Sequence, residues 1–332
     1  MPRKTADRNG YGLIADIGGT HVRFAVTRLT RPAPVPSSIR ALATRDHSDI
    51  AAAARAYLAG QHLSRPPQAL VFAVAGPVTH NEARLTNAGW RISGDRLKKE
   101  LKVGSADVIN DFEAVAWAVP HLKADDLMTL GRQPFEPRGA GTVALVGPGT
   151  GLGVAGFAQN GKTGMALVTE GGHIAFAPTD ETEIRILEIL RRRFGRVSIE
   201  RILSGPGLLN LYGALAEIEG VAATDATPEM ITQTARDDPA SFEARVFARF
   251  CGILGAVAGD FALAFGARRG VLIAGGILPL VRELLAASDF RKRFEDKARF
   301  TGYVKSIPTA LIVQPQVGLI GAAAVLASRR RA

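Results

Sequence analysis

The chain has 332 residues, of which 47% are hydrophobic and 22% are charged. This composition supports a packed globular protein and excludes a disordered chain, and the length favours two domains. The formal charge of +10 is spread along the chain without a helix-turn-helix, a zinc finger or an aromatic-basic RNA motif, which argues against nucleic-acid binding.

The single cysteine, Cys251, excludes an internal disulfide and provides too few ligands for a zinc knuckle. The polar, basic start of the chain does not resemble a signal peptide. Apolar runs such as Val317–Ala327 are shorter than the roughly 20 residues that cross a bilayer, so no membrane association is expected. A reducing, cytoplasmic location is therefore predicted.

The first half of the chain alternates short apolar runs with glycine turns, which is typical of strands in an α/β protein. In chain order, the predicted elements are a strand Leu13–Ile17, a turn Gly18-Gly19-Thr20, a strand Val22–Val26, a helix near Asp49–Gly60, a strand Leu70–Ala75 ending at Gly76, a strand ending at Val108-Ile109, and a helix beginning near Glu113.

The second half repeats the order strand, glycine turn and returning strand, and then becomes more helical. Its predicted elements are a strand Thr142–Val146, a turn Gly147–Gly151, a strand Val154–Phe157, helices Glu181–Arg193, Leu208–Ala216 and Ala244–Leu263, and a strand Val271–Ala274 that stops at Gly275-Gly276. The repeated order indicates two copies of one nucleotide-binding plan.

Both glycine turns suit a phosphate, which needs several backbone N–H groups and no side chains in the way. The first turn adds the Thr20 hydroxyl, and the second is Gly149-Thr150-Gly151. A strand follows each turn, so both close β-hairpins rather than open helices. One such turn alone is more often an ordinary hairpin turn, whereas two matched copies favour a phosphate site.

Two further glycine patterns are formal matches that lack the required context. Gly156–Thr163 fits the P-loop pattern, but Asn160-Gly161 is a favoured hairpin pair and no helix follows. Gly151, Gly153 and Gly156 fit the dinucleotide pattern, again without a helix. Neither is taken as a nucleotide site.

A set of polar residues provides candidate ligands for a polyhydroxylated substrate. Asp111 follows a strand, where it could equally act as a helix N-cap. Glu170 and His173 flank two glycines, and Glu200 precedes the turn Ser204–Gly207. Alone, these could be a surface turn and a solvated glutamate. Together with Asn110 they suit a sugar, because each buried hydroxyl needs a hydrogen-bond partner.

At this point the chain resembles the bacterial glucokinases of the hexokinase–actin–chaperone ATPase superfamily, over nearly its whole length. The motifs that carry the resemblance are Ala15–Thr20, Leu85-Thr86-Asn87 with Trp90, Ile109–Phe112, Gly149–Gly153, Glu170–His173, Glu200 with Leu203–Gly207, and Ile273–Gly276. The absence of a Cys-rich zinc motif and of an N-terminal helix-turn-helix favours the zinc-free branch over the related repressor–kinase family.

The resemblance implies an α/β, two-domain actin-like (ribonuclease H-like) ATPase fold with an interdomain cleft. Residues 1–112 and about 316–332 would form the smaller domain, and residues 113–315 the larger. The implied nucleotide-binding residues are Ala15, Asp16, Ile17, Gly18, Gly19, Thr20, Gly149, Thr150 and Gly151, with Gly275 and Gly276 against the adenosine. The implied glucose ligands are Asn110, Asp111, Glu170, His173 and Glu200.

The reaction implied is ATP-dependent phosphorylation of glucose to glucose 6-phosphate, with Asp111 as general base for the 6-hydroxyl. Asp16 would orient Mg²⁺, through water, and no zinc is expected. His21 departs from the family, which often has asparagine after the first Gly-Gly-Thr. Homodimers are common in the family.

Three alternatives remain open from the residues alone. The first is a kinase of the same fold acting on mannose, fructose or an N-acetylated hexosamine. The second is a kinase that uses polyphosphate as donor, for which the +10 charge is a weak indication. The third is a catalytically silent sugar-binding regulator, against which stands the presence of Asp111.

Overall fold

The computed structural model describes residues 10–29, 36–85, 88–161, 163–222 and 225–329. These residues divide into two compact units. The first unit runs up to Leu122 and resumes at Gln314, and the second is Lys123–Val313. The resemblance implies divisions after Phe112 and near residue 316. Because the first unit extends to Leu122, helix Asp111–Ala118 lies in the first unit and not in the second.

The strands are β1 Tyr11–Ile17, β2 His21–Arg28, β3 Ser37–Ala43, β4 Ala69–Val74, β5 Val78–Thr79, β6 Glu82–Leu85, β7 Trp90–Ser93, β8 Ser105–Asn110, β9 Leu127–Thr129, β10 Gly141–Pro148, β11 Leu152–Asn160, β12 Thr163–Val168, β13 Gly270–Ile273 and β14 Thr309–Ile312.

The α-helices are α1 Ile50–Ala59, α2 Gly94–Glu100, α3 Asp111–Ala118, α4 Glu181–Phe194, α5 Gly205–Glu219, α6 Pro228–Asp237, α7 Phe242–Ala264, α8 Arg282–Ala287, α9 Phe290–Glu295, α10 Thr301–Lys305 and α11 Val317–Ser328. The mixture of strands and helices confirms the predicted α/β class.

The main sheet of the first unit has the order β3-β2-β1-β4-β8. β1 is antiparallel to β2 and parallel to β4, and β4 is parallel to β8. One face packs against α1 and α2, and the other against α3 and α11. Because β4 is covered on both faces, its six residues are all buried, and the strand reads as an uninterrupted apolar run.

Helices α3 and α11 approach each other closely. A Cβ at Gly321 of α11 would overlap the carbonyl oxygen of Ala114 on α3. Glycine at this position therefore lets α11, from the end of the chain, support the helix that begins at Asp111. A smaller antiparallel sheet, β5-β6-β7, completes the first unit.

The sheet of the second unit has the order β12-β11-β10-β13-β14-β9. Its core contains apolar side chains of β10, β11, β13 and β14 together with those of α4 to α7. Helix α7 has 23 residues and is apolar enough to cross a membrane by length and composition, which corrects the expectation that every apolar run is too short. Since 78% of its most apolar window is buried in the protein, it is packed as a core helix.

Candidate active site

The first glycine turn joins β1 to β2 and is held by backbone hydrogen bonds. The N–H of Gly18 donates to the carbonyl oxygen of His21 at 3.0 Å. Thr44 holds the turn from the side, because its N–H donates to the Thr20 carbonyl at 3.0 Å and its hydroxyl donates to the Gly19 carbonyl at 3.1 Å. Thr20 is exposed, so its hydroxyl is accessible to a ligand.

Two of the predicted nucleotide residues in this segment have buried side chains. Ala15 and Ile17 are fully buried in the core, so only their backbone groups are available to a nucleotide. His21 is exposed, and its Nδ1 lies 3.1 Å from the Thr20 hydroxyl. The family departure at His21 thus changes the surroundings of that hydroxyl and leaves the backbone turn in place.

Asp16 is the polar residue within β1. Its carboxylate lies 3.5 Å from the guanidinium of Arg23, its cross-strand partner, and next to Gly318 at the start of α11. Burial raises the pKa of Asp16, and the nearby Arg23 charge and hydrogen bond partly oppose that rise. A carboxylate held in a mostly apolar strand, at the edge of a phosphate-type turn, is a suitable outer ligand for a hydrated cation.

Asn110, and not Asp111, is the N-cap of helix α3. The Asn110 side-chain oxygen accepts from the N–H groups of Phe112 and Glu113 at 2.8 and 3.2 Å, and its amide donates to the Gly76 carbonyl at 3.0 Å. Asp111 is the first helical residue, and its Oδ1 also accepts from the Phe112 N–H at 2.9 Å. The interpretation of Asp111 as a helix cap is therefore wrong.

The second glycine turn, Gly149-Thr150-Gly151, joins β10 to β11. The Gly149 N–H donates to the Gly151 carbonyl at 2.8 Å, which closes the turn. Thr150 is exposed, like Thr20 in the first turn. Gly275, just after β13, has φ +98°, and a Cβ there would overlap the carbonyl oxygen of Pro148 at the end of β10. Gly275 therefore lies directly against the end of β10, where this turn begins.

Glu170, His173 and Glu200 form one group in the second unit. The Nε2 of His173 lies 4.0 Å from Oε2 of Glu170, and its Nδ1 lies 3.9 Å from Oε1 of Glu200. Glu170 and His173 are more than half exposed, and Glu200 is about one-third exposed. Three polar side chains that face one another and remain accessible can bind several hydroxyl groups of one ligand.

The two glycines between Glu170 and His173 are required by packing. A Cβ at Gly171 would come within 2.8 Å of Val154, and a Cβ at Gly172 would overlap the carbonyl oxygen of Leu152. The Glu170–His173 turn therefore packs directly against β11, the strand that begins just after the second glycine turn.

The two lookalike motifs lie on strands. Gly151, Gly153 and Gly156 lead into and lie on β11, and the P-loop-like segment passes from β11 to β12 through a hairpin with Gly161 at φ +56°. Lys162 lies outside the described residues, as do Thr86 and Asn87 of the family motif. Trp90 of the same motif is buried in the core of the first unit.

Some supporting residues were not predicted from the sequence. Thr44, Arg23 and Gly318 support the first turn and Asp16, and each is distant in sequence from the turn or carries no motif. In the part of the chain that the structure describes, no group of three or more His, Cys, Asp or Glu side chains is arranged to hold a metal ion.

The comparisons with known proteins agree over almost the whole chain. A family model described as Glucokinase matches residues 13–329. A glucokinase of Caulobacter sp. (strain K31) is 45% identical over 325 residues, which cover 97% of both proteins.

Solved structures show the same fold. The crystal structure of a glucokinase from an Antarctic psychrotroph has a TM-score of 0.86 and 34% identity, and the match covers 96% of this chain and 99% of that one. A Balamuthia mandrillaris glucokinase in complex with glucose has a TM-score of 0.80 at 20% identity, with coverages of 98% and 95%. The predicted two-domain actin-like ATPase fold is thereby confirmed.

Proposed function

We propose that Asp111 accepts the proton of the 6-hydroxyl of glucose during phosphoryl transfer from ATP. The chain belongs to the glucokinase family and phosphorylates glucose with ATP. The observation that supports this role is that Asn110, and not Asp111, is the N-cap of α3. Asn110 caps the helix through the N–H groups of Phe112 and Glu113, so capping alone does not account for a carboxylate at Asp111, whose Oδ1 shares the Phe112 N–H.

The reaction balances with Asp111 as the proton acceptor. The 6-hydroxyl oxygen of glucose attacks the γ-phosphorus of ATP and forms the new O–P bond. The bond from the γ-phosphorus to the bridging oxygen breaks, ADP leaves with that electron pair, and the hydroxyl proton passes to the Asp111 carboxylate. The Phe112 N–H, which donates to Oδ1 at 2.9 Å, orients the carboxylate.

The sugar ligands are assigned within each unit. In the first unit, Asn110 and Asp111 bind glucose, and the capping bonds of the Asn110 amide fix its orientation. In the second unit, Glu170, His173 and Glu200 bind sugar hydroxyls, because they face one another within 4.0 Å and remain accessible. The carboxylates accept hydrogen bonds from the hydroxyls, and the imidazole can donate or accept.

The nucleotide is assigned to the two glycine turns. Backbone N–H groups of residues 19–20 and 150–151 and the exposed Thr20 and Thr150 hydroxyls bind phosphate oxygens, since the Gly18 and Gly149 N–H groups close the turns. Gly275 and Gly276 lie against the adenosine. Mg²⁺ would be held through water by Asp16, since this ion keeps much of its hydration shell and needs only one or two protein carboxylates beside the phosphates. When bound, it neutralises charge on the transferred phosphoryl group.

Asp111→Asn tests the assignment of the base. Asparagine keeps the shape and an oxygen that can accept the Phe112 N–H but cannot take up a proton, so kcat should fall about 10²- to 10⁴-fold while glucose still binds. Steady-state kinetics and calorimetric glucose titration measure the two effects.

The control for that variant is Glu113→Gln, which removes a half-buried charge two residues further along α3, where the Glu113 carboxylate accepts a hydrogen bond from the Asn110 backbone. It should keep kcat within about twofold, since the glutamine amide oxygen can still accept the Asn110 N–H and the residue takes up no proton in the proposed reaction. Nearly normal turnover of Asp111→Asn would contradict the assignment.

The proposal extends to the sugar and phosphate-donor specificity, the cellular location and the oligomeric state of the enzyme. A coupled assay with ATP or polyphosphate as donor and a panel of hexoses measures whether glucose and ATP are preferred over the alternatives. A role in glycolysis, a cytoplasmic location and a homodimer follow from the family resemblance. Analytical ultracentrifugation of the purified protein measures the last of these.

A further inference from the structure

Glu200 makes contacts with both halves of the candidate site in the second unit. Its Oε2 accepts the N–H of Leu152 at 2.8 Å, and Leu152 is the residue directly after the second glycine turn. Its Oε1 lies 3.9 Å from Nδ1 of His173 in the sugar group. One carboxylate therefore spans the distance between the nucleotide turn and the proposed sugar ligands.

The segment that begins at Glu200 also holds the other end of the turn. The Gly205 N–H donates to the Gly149 carbonyl at 2.8 Å. Ser204 connects the two contacts, because its hydroxyl donates to the Glu200 carbonyl at 2.8 Å and accepts the Gly207 N–H at 2.9 Å as the N-cap of α5. Both ends of the three-residue turn are thus bonded to one segment.

The glycine at position 151 fits this arrangement. A Cβ at Gly151 would come within 2.5 Å of Glu200 Oε2, so a side chain there would displace the carboxylate. Gly151 is therefore needed for the approach of Glu200 as well as for the approach of a phosphate. A glutamate that only faced solvent would not require a glycine beside it.

We propose that Glu200 is a positioning residue for the nucleotide turn in addition to a sugar ligand, and that it couples the binding of sugar and nucleotide. The sugar half rests on the proposed function. The carboxylate is planar and rigid, so a sugar hydroxyl bonded to Oε1 restricts the rotamer in which Oε2 holds Leu152. A ligand that orders a group already used by a second site strengthens binding there, and the effect is reciprocal.

Calorimetric titration of ADP with Mg²⁺, with and without glucose, tests the proposal on the full chain. Glu200→Ala should raise the ADP Kd measured without glucose by about tenfold, since a hydrogen bond to a charged group is lost. In the wild type, glucose should lower the ADP Kd. In Glu200→Ala, the ratio of the ADP Kd without glucose to the ADP Kd with glucose should fall towards one. Glu200→Gln should restore ADP binding without glucose, because its amide oxygen can accept the Leu152 N–H.

Glu170→Ala is the matched control, because Glu170 faces the same histidine but makes no described contact with the turn. It should weaken glucose binding and leave the ADP Kd without glucose within about twofold. Should Glu200→Ala fail to fold, Glu200→Asp replaces it, since its shorter side chain keeps the charge and cannot reach both partners.

The outcomes separate this proposal from the assignment of the sugar ligands. An unchanged ADP Kd in folded Glu200→Ala, or a wild-type ADP Kd that does not respond to glucose, overturns the coupling. A weakened ADP affinity with normal glucose affinity in Glu200→Ala overturns the sugar role of Glu200 and supports its role at the turn.

Discussion

The two glycine turns occupy the same place in two sheets of the same connectivity. In the first unit the order is β3-β2-β1-β4-β8, and in the second the corresponding strands are β12-β11-β10-β13-β14. In both, an antiparallel hairpin carries the turn and a parallel strand lies beside its first arm. Two separate sheets built on one plan explain why the turn recurs in the sequence.

The correspondence extends to the backbone beyond the neighbouring strand. Ala75 donates its N–H to the Ile17 carbonyl at 3.0 Å, and Ala274 donates to the Val146 carbonyl at 2.9 Å. The next residue in each unit is a glycine with positive φ, Gly76 at +124° and Gly275 at +98°. Both units therefore share the strand pairing and the glycine with positive φ that turns the chain away after the parallel strand.

Side chains distinguish the two copies. By their pairing with the parallel neighbour, Asp16 of β1 corresponds to Leu145 of β10, which is fully buried. The first turn is held by the neutral hydroxyl of Thr44, and the second by the carboxylate of Glu200. The two turns thus share the backbone proposed to bind phosphate, and they differ in the side chains proposed for other tasks: an outer cation ligand in one unit and a link to the sugar group in the other.

Substitution of Gly76 and Gly275, the glycines that follow β4 and β13, should give the largest difference in stability between the two units. Gly275→Ala places a Cβ on the Pro148 carbonyl oxygen at a positive φ, so overlap and backbone strain add to about 3 kcal/mol of lost stability. Gly76→Ala meets no described atom within 4 Å, so strain alone should cost about 1 kcal/mol. Urea unfolding of the two variants measures the difference, and equal losses would show that contact with the turn is unimportant.

Asp16→Asn tests the polar residue that distinguishes β1 from β10. Removal of the proposed outer cation ligand should lower activity about 10- to 100-fold at a fixed Mg²⁺ concentration. The same change should raise Tm at pH 7, because burial raises the Asp16 pKa and ionisation therefore costs the folded state stability. Activity against Mg²⁺ concentration and thermal unfolding measure the two effects.

The pH dependence of that stability gain has a defined sign. The pKa of Asp16 in the folded state lies above the ordinary aspartate value of about 3.9. Below about pH 3.9, Asp16 is protonated in both the folded and the unfolded state, and the wild type loses no stability. As the pH rises through the folded pKa, ionisation of the buried group lowers the free energy of unfolding. The Tm advantage of Asp16→Asn should therefore disappear as the pH is lowered below about 3.9. A lower Tm for the variant at pH 7 would contradict the assigned effect of burial.

Local patterns predicted much of the fold and the positions of the turns. Strands covered on both faces appear as apolar runs, and glycines mark the turns between them, so the hairpins of both units were predictable. Sequence spacing was less accurate in detail. Thr20 and Thr150 do not hold equivalent positions, because the second hairpin continues through the pairs Gly147↔Gly153 and Pro148↔Leu152, which shifts its turn outward.

The supports of the site were not predictable, because they depend on contacts between distant parts of the chain. Nothing local to Thr44 indicates that its hydroxyl reaches the Gly19 carbonyl, and nothing local to Gly321 indicates that it packs on Ala114. The choice between Asn110 and Asp111 as the N-cap was equally open, since both residue types suit that position. Only the three-dimensional arrangement separates the cap from the proposed base.

Thr44→Val tests whether the neutral contact at the first turn is weaker than the charged one at the second. Valine keeps the shape of this buried residue and the backbone bond to Thr20, but it removes the hydroxyl that donates to Gly19. A neutral hydrogen bond contributes about 1 kcal/mol, so the ADP Kd should rise about fivefold, less than in Glu200→Ala.

Thr44→Ser is the control for that comparison, because it keeps the hydroxyl and removes only a methyl group. Its ADP affinity should stay close to that of the wild type, and its small loss should appear in Tm, since a buried methyl contributes to packing. If Thr44→Val weakened ADP binding as much as Glu200→Ala, charge would not distinguish the two turns. The shared backbone plan would then be sufficient to explain how both of them are held.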